Sequence, residues 1–227
     1  MKRIINKGVR MMNTLIFDLD GTLVDSLEDL AHTTNLVLEE YGFKTHELEK
    51  YRHFVGNGAT KLIERALPDD HKDLVNEARA RFDKLYALHC LDHTVPYPGM
   101  KKVIDDLKEA GYHLAVVTNK PKAHAVKIVK HLFPDTFEYV FGNTPYQPKK
   151  PDPTLVVLAM NLMDVSKHDV FYVGDSDVDI QTAINAKVKS IGCSWGFRGK
   201  AELLKAGANF VVDHPHEIKE IIDDRRK

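Results

Sequence analysis

The sequence predicts an α/β protein: a doubly wound, mostly parallel sheet with a helical subdomain inserted after its first strand. Three observations lead to it. Short β-branched runs alternate with helical patterns along most of the 227 residues, as they do where covering helices join parallel strands. Several of these runs lack polar alternation, which is expected of strands covered on both faces. From Ser26 to His93, by contrast, only helical patterns occur.

The strands expected are Thr14–Asp18, His113–Thr118, Tyr139–Gly142, Val170–Gly174, Lys189–Cys193 and Asn209–Val212. Between them, Met100, Val103, Ile104 and Leu107 recur at helical spacing after Pro98-Gly99. Ile180, Ala183 and Ile184 do so after the acidic run Asp175 to Asp179, and Met160 and Met163 fill the core side of a helix after Pro153. The helical stretch ends at the break Val95-Pro96-Tyr97-Pro98. An insertion on two linkers reads as a separate subdomain beside the end of the first strand.

At roughly 150 residues per domain, the chain is one large domain or one domain with a sizeable insertion. Lys plus Arg number 32 against 33 Asp plus Glu, a net charge of -1, which removes the broad basic footprint of a nucleic-acid binder. The longest uncharged stretch, Pro153 to Met163, is far short of the roughly 20 apolar residues that cross a bilayer. No membrane partner is expected. Cys90 and Cys193 have no partners at metal-like spacing, so the chain reads as reduced and cytoplasmic. Residues 1–10 are basic but lead into no signal-peptide core, and because Met11 and Met12 follow they are expected to be an optional extension.

Chemistry is expected at the carboxyl ends of the strands, where open α/β sheets bind ligands. The first strand ends Asp18-Leu19-Asp20-Gly21-Thr22, and strand alternation puts both acids on one side. Alone, this pair reads equally as a loop with two solvated acids. It is no calcium loop, since Gly21 stands fourth rather than sixth and Asp29 and Leu30 fall at its end. The second strand offers Thr118 and Asn119 before a helix expected near Pro121, and such a helix start suits phosphate. Lys150 follows the third strand on a backbone stiffened by Pro151, and the fourth strand ends Gly174-Asp175-Ser176-Asp177-Val178-Asp179. Helix capping accounts for one of those acids, not for three. Asp18, Asp20, Asp175 and Asp179 together, faced by one lysine, a hydroxyl and an amide, want a hard divalent cation; Mg²⁺ with a substrate phosphate fits the set. The partner is then a small phosphorylated metabolite.

These four segments, in this order, resemble the motifs of the haloacid dehalogenase (HAD-like) superfamily, and the match spans nearly the whole chain. The helical insertion resembles that superfamily's cap, which places the core at residues 1–25 and 94–227 and the cap at 26–93. Phe54-Val55-Gly56-Asn57-Gly58-Ala59, Glu64-Arg65-Ala66-Leu67 and Trp195-Gly196-Phe197-Arg198-Gly199 look most like phosphoglycolate phosphatases. Broad sugar-phosphate phosphatases and pyrophosphatases are similar. The resemblance implies that Asp18 attacks phosphorus and that Asp20 protonates the leaving alcohol, then deprotonates the hydrolytic water. It implies Mg²⁺ on Asp18, the Asp20 carbonyl and Asp175, with Asp179 in support. Thr118 and the Asn119 amide would hold phosphoryl oxygens, and Lys150 would offset a repulsion of about 4 kcal/mol per charge pair at 4 Å and an effective dielectric near 20.

Asp20 argues against C–halogen cleavage, because haloacid dehalogenases lack an acid there. Lys61 is a poor candidate for the Schiff-base lysine of phosphonoacetaldehyde hydrolases. β-Phosphoglucomutase shares all four core motifs and stays an alternative, although the segment after Asp25 does not resemble its cap. The amides of Gly56, Asn57 and Gly58 could form a concavity for a substrate carboxylate, or the turn could merely join two helices. A serine hydrolase through Ser194 has one hook, Gly192-Cys193-Ser194-Trp195-Gly196 with Asp213, His214 and His216 downstream, but glycines stand where a helix should start. A binding module without turnover would not need Asp18, Asp20, Lys150 and Asp175. His89 and His93, four apart, permit zinc but show no third ligand. Whether the protein is a monomer or a homodimer stays open.

Overall fold

The structure, a computed structural model, describes residues 14–224; the expected extension, residues 1–10, lies outside the described residues. In chain order, β1 (Thr14–Phe17) leads to β2 (Val24–Asp25), α1 (Leu27–Glu40), α2 (Leu48–Phe54), α3 (Ala59–Ala66), a 3-10 segment (Asp69–Leu74) and α4 (Val75–His89). After β3 (Val95–Pro96) come α5 (Met100–Glu109), β4 (His113–Pro121), α6 (Lys122–Leu132), β5 (Tyr139–Asn143) and α7 (Thr154–Leu162). Then follow β6 (Val170–Gly174), α8 (Asp177–Ala186), β7 (Lys189–Cys193), α9 (Lys200–Lys205), β8 (Phe210–Val212) and α10 (His216–Asp224).

Six strands form one parallel sheet in the order β5-β4-β1-β6-β7-β8. The order reverses at β1, so the crevice beyond its carboxyl end is the sheet's topological switch point. All of β1 is buried, and its side chains alternate between two cores. Leu15 and Phe17 join Val116, Val173, Ile104, Ile128 and Ile218 on one face; Ile16 joins Val117, Tyr172, Val156 and Ala183 on the other. The stripe Met100, Val103, Ile104 and Leu107 of α5 is buried as its spacing requires. Among the described residues no helix is long and apolar enough to cross a membrane.

Two departures from the sequence reading bear on the site. First, β4 runs past Thr118 to Pro121, shifting register between Val117 and Pro121 to pair with Asn143. Pro121 biases Lys120 toward extended backbone and keeps the helix from starting before Lys122, so the strand carries Lys120 into the crevice. Second, the two linkers of the helical insert are antiparallel neighbours: β2 pairs with β3 through Val24–Pro96 and Asp25–Val95. Two-residue strands leave no periodicity to read.

Asp29 of α1 ties the insert's exit to its entry. Its carboxylate is buried and accepts from the His93 and Thr94 backbone amides at 2.9 and 2.8 Å and from the Thr94 hydroxyl at 2.6 Å. Bonds to a buried charge contribute more than neutral ones, and their loss strands two amides. We expect Asp29→Ala to lower the unfolding free energy by about 2–4 kcal/mol, seen as a lower urea midpoint at unchanged m.

Candidate active site

The chain leaves β1 at Phe17 with the Asp18 amide still bonded to the Val173 carbonyl at 2.9 Å, so the Asp18 side chain emerges at the centre of the sheet. Lys150 Nζ meets it at 2.9 Å and also reaches Asp179 Oδ1 at 2.6 Å and the Tyr172 hydroxyl at 3.0 Å. The three N–H donors of the ammonium are thereby matched by three oxygens. Asp179 does two jobs. As the third residue of α8 it completes a capping box with Ser176, its Oδ2 accepting from the amides of Asp175 and Ser176 and from the Ser176 hydroxyl. Its other oxygen holds Lys150. Asp175 accepts from the Thr22 hydroxyl at 3.1 Å and the Phe197 amide at 2.9 Å.

Asp18, Asp175 and Asp179 each offer an oxygen within 4.8 Å of the others, and all three residues are buried. Glycines permit this crowding. A Cβ at Gly21, whose φ is +83°, would stand 2.4 Å from Asp175 Oδ2, and one at Gly196 would stand 2.2 Å from Asp175 Cβ. Burial raises the Asp18 carboxyl to about 6; Lys150 opposes the rise and the Asp179 charge adds to it. Burial and then the charges of Asp179 and Asp18 push Asp175 well above the usual carboxylate range. Desolvation pulls the Lys150 ammonium down, but Asp179 and Asp18 outweigh it and hold it well above the usual lysine range. Three buried carboxylates against one ammonium leave an excess of negative charge on hard oxygen donors, which is the environment a divalent cation relieves. The residues fit such an ion.

Asp20 stands apart from this cluster. Lys120 Nζ bridges both its oxygens at 2.8 and 3.0 Å, and Ser26 Oγ donates to it at 2.5 Å. Thr118 is buried, and its side chain hydrogen-bonds Asp18. The side chain of Asn119 is turned to neighbouring backbone. Its Oδ1 accepts from the Lys150 amide at 2.9 Å, and its Nδ2 donates to the Lys150 and Gly56 carbonyls at 3.2 and 3.3 Å. The carboxamide is spent on joining three segments.

The Gly56-Asn57-Gly58 turn lies over the strand ends. Gly56 and Gly58 line the cleft with Asp18, Asp20, Thr118 and Asn119. The side-chain Oδ1 of Asn57 accepts from Arg65 at 2.8 Å, and Asn57 is not among the lining residues. Arg198, from the loop after β7, donates to the Val55 carbonyl at 3.0 Å and so braces the turn. The insert adds the apolar side chains of Leu30, Leu62 and Phe82 to the wall, beside Tyr86 and Lys120.

Sequence reading missed Lys120, Tyr86 and Ser26, and gave Arg198 no role beyond the run Trp195 to Gly199. Lys120 carried a usable signal: two residues beyond Thr118 on an extended segment, it falls on the same side. Tyr86, an aromatic on an amphipathic helix, carried none. The other candidates lie elsewhere. Lys61 pairs with Glu64 on the surface at 2.9 Å, His89 with Asp92 at 2.7 Å and His93 with Asp29 at 3.0 Å. Ser194 donates to Asp213 at 2.6 Å, not to a histidine, and the next helix waits until Lys200. That segment is no nucleophile elbow.

The profile of the haloacid dehalogenase-like hydrolases matches residues 15–193, from β1 to the end of β7. A phosphoglycolate phosphatase of Vibrio parahaemolyticus is 35% identical over 218 residues, 92% of this chain and 95% of the relative. One from Pseudomonas putida is 34% identical over 206 residues, 88% of this chain and 75% of the relative. Among solved structures, a protein of Lactobacillus delbrueckii subsp. bulgaricus provisionally named a phosphoglycolate phosphatase superposes with a TM-score of 0.88 at 30% identity, covering 93% of this chain and 98% of that one. CbbY of Rhodobacter sphaeroides, solved with phosphate, gives 0.73 at 25% identity over 92% and 96% of the two chains. The chain belongs to the haloacid dehalogenase-like hydrolase family. It is an enzyme of the phosphatase kind, and the relatives it is similar to are phosphoglycolate phosphatases.

The charge excess has a measurable consequence. In the metal-free protein the folded Asp18 takes up its proton near pH 6, whereas an unfolded aspartate does so near 3.8. Between these values the folded state binds more protons, so stability should fall as pH rises from about 4 to about 6. At neutral pH, Asp175→Asn should raise the Tm of the metal-free protein, because it removes a penalised buried charge and keeps an acceptor. The same variant should lose the rise in Tm that a divalent cation gives the wild type by binding the folded state alone. Calorimetric melts in EDTA and in excess metal read both effects; a lower Tm in EDTA would contradict the assignment of excess charge.

Proposed function

We propose that the protein hydrolyses a small phosphate monoester with Mg²⁺ through an aspartyl-phosphate, with phosphoglycolate as the substrate. The observation that carries the reading is Asp18 itself, a buried carboxylate at the topological switch point with Lys150 at 2.9 Å and Asp175 close enough to share an ion. The names of the relatives support the choice of substrate.

Asp18 attacks phosphorus, the bond from phosphorus to the ester oxygen breaks, and Asp20 gives its proton to the departing alkoxide. Asp20 then takes a proton from the water that attacks the aspartyl-phosphate, phosphate leaves, and Asp18 is regenerated. Mg²⁺, held by Asp18, the Asp20 carbonyl and Asp175, would neutralise phosphoryl oxygens and orient the group for in-line attack. Asp179 fixes Lys150 and the Asp175 loop. Lys150 keeps its charge throughout and faces the negative charge that gathers as nucleophile and phosphoryl group approach. Thr118 and the backbone amide of Asn119 complete the phosphoryl site.

Residues 26–93 act as a cap on a core of residues 1–25 and 94–227. With the cap over the strand ends, Gly56 and Gly58 meet the part of the substrate that is not phosphate, and their amides suit a carboxylate. The buried free thiols Cys90 and Cys193 suit a reducing cytoplasm.

A panel of phosphate esters assayed with Mg²⁺, including phosphoglycolate, pyrophosphate and β-glucose 1-phosphate, tests the substrate. Phosphoglycolate should give the highest kcat/KM, EDTA should abolish turnover, and Asp18→Asn should lower kcat to background while the fold survives. Preference for a glucose phosphate or for pyrophosphate would move the chain to another branch of the family. Gly56→Leu should lower kcat/KM for phosphoglycolate more than for p-nitrophenyl phosphate; equal losses would remove the turn from substrate selection.

A further inference from the structure

The Lys120 ammonium is the second buried lysine of the cleft, and Lys150 does not explain it. Its side chain is 2% exposed. It donates to Asp20 Oδ1 at 2.8 Å, to Asp20 Oδ2 at 3.0 Å and to the Tyr86 hydroxyl at 2.7 Å. An ammonium has three donors, and these partners take all of them, so none is left for a substrate group. Asp20 comes from the loop after β1, Lys120 from β4 and Tyr86 from α4 of the helical insert. Tyr86 is itself immobilised, buried and stacked on Phe82 at 5.1 Å with the His124 ring edge-on at 5.2 Å. Its ring also lies against the ammonium, with the centroid 4.6 Å from Nζ.

We propose that Lys120 is a positioning residue for proton transfer: it clamps the Asp20 carboxylate by both oxygens, and Tyr86 completes the clamp from the insert, so that Asp20 is fully aligned only while the insert lies over the strand ends. The inference rests on the phosphatase reading above and deepens it. Lys120 exchanges no proton; the Asp20 proton passes to the leaving oxygen as the P–O bond breaks, and the ammonium stays charged. Without Lys120, Ser26 is the one side chain among the described residues that bonds the Asp20 carboxylate, and a carboxylate free to swing loses the orientation on which general-acid help depends. Two lysines thus divide the work. Lys150 serves the nucleophile and the charged cluster, and Lys120 serves the acid and reports to it whether the insert is in place.

The test separates a misaligned acid from a damaged site by the leaving group. Values of kcat/KM cover the steps through leaving-group departure, so a missing acid penalises poor leaving groups and spares good ones. For Lys120→Met we expect about a 100-fold loss on phenyl phosphate and phosphoglycolate and less than about a 10-fold loss on p-nitrophenyl phosphate. Lys120→Arg, which can still bridge a carboxylate, should recover part of the loss on phenyl phosphate. Tyr86→Phe should repeat the pattern on a smaller scale, about 3- to 10-fold on phenyl phosphate and none on p-nitrophenyl phosphate. All three variants should keep the rise in Tm with Mg²⁺. Equal losses on the two aryl esters would overturn the assignment, and so would a loss confined to phosphoglycolate, which would make Lys120 a reader of the substrate carboxylate. A wild-type profile for Tyr86→Phe would overturn the insert's part. If the wild type with Mg²⁺ hydrolyses none of the three esters, the phosphatase reading fails instead.

Discussion

The contact on which the rest of the structure depends is the buried ion pair of Lys150 with Asp18 and Asp179. Buried carboxylates are costly unless something compensates them, and here the compensation is deliberately incomplete. One ammonium holds two acids and faces a third, Asp175, that nothing positive touches among the described contacts. The imbalance makes the site receptive to a cation and, through it, to a phosphoryl group. Much of the surrounding architecture exists to keep these groups together. The α8 capping box points Asp179 at Lys150, the Tyr172 hydroxyl fills the remaining donor of the lysine, and the Asn119 carboxamide fixes the Lys150 backbone.

A second theme is the separation of the two acids of the first motif. Strand alternation sends Asp18 and Asp20 toward the same crevice, yet their partners differ in kind. Asp18 sits in the dry, charge-crowded centre, where burial raises its carboxyl. Asp20 sits at the edge beneath the insert, matched to its own lysine and to Ser26. Two carboxylates in unlike surroundings can take unlike roles, one as nucleophile and the other as proton carrier. The insert contributes apolar walls and two hydroxyls, those of Ser26 and Tyr86, to this arrangement and leaves the charges to the strand ends.

The strand cores were legible because burial on both faces removes polar alternation, and the acidic segments stood out because a parallel sheet delivers every strand end to one edge. Boundaries moved by a residue or so where a side chain, such as that of Asn209 bonding the Ser190 amide at 2.9 Å, takes over from the ladder. That Lys120 shares a side with Thr118 is legible from the extended segment, but its pairing with Asp20 across 100 positions of chain is not, because no local period encodes it. The bonds of the Asn119 side chain are not legible in the sequence, since only the folded turn brings Gly56 and Lys150 to its carboxamide. The β2–β3 pairing was invisible for a simpler reason: neither strand is long enough to form a pattern.

That short pairing has an architectural consequence. Because Val24 and Asp25 lie beside Pro96 and Val95 in a ribbon of their own, the chain enters the helical insert and leaves it at points one strand spacing apart, about 4.8 Å. In chain connectivity everything between is a closed loop, joined to the strand ends by contacts such as Lys120 with Tyr86 and Asn119 with Gly56. A different module with neighbouring termini could be grafted at the same doorway, and the phosphoryl chemistry below would meet a new selectivity without any strand having to move.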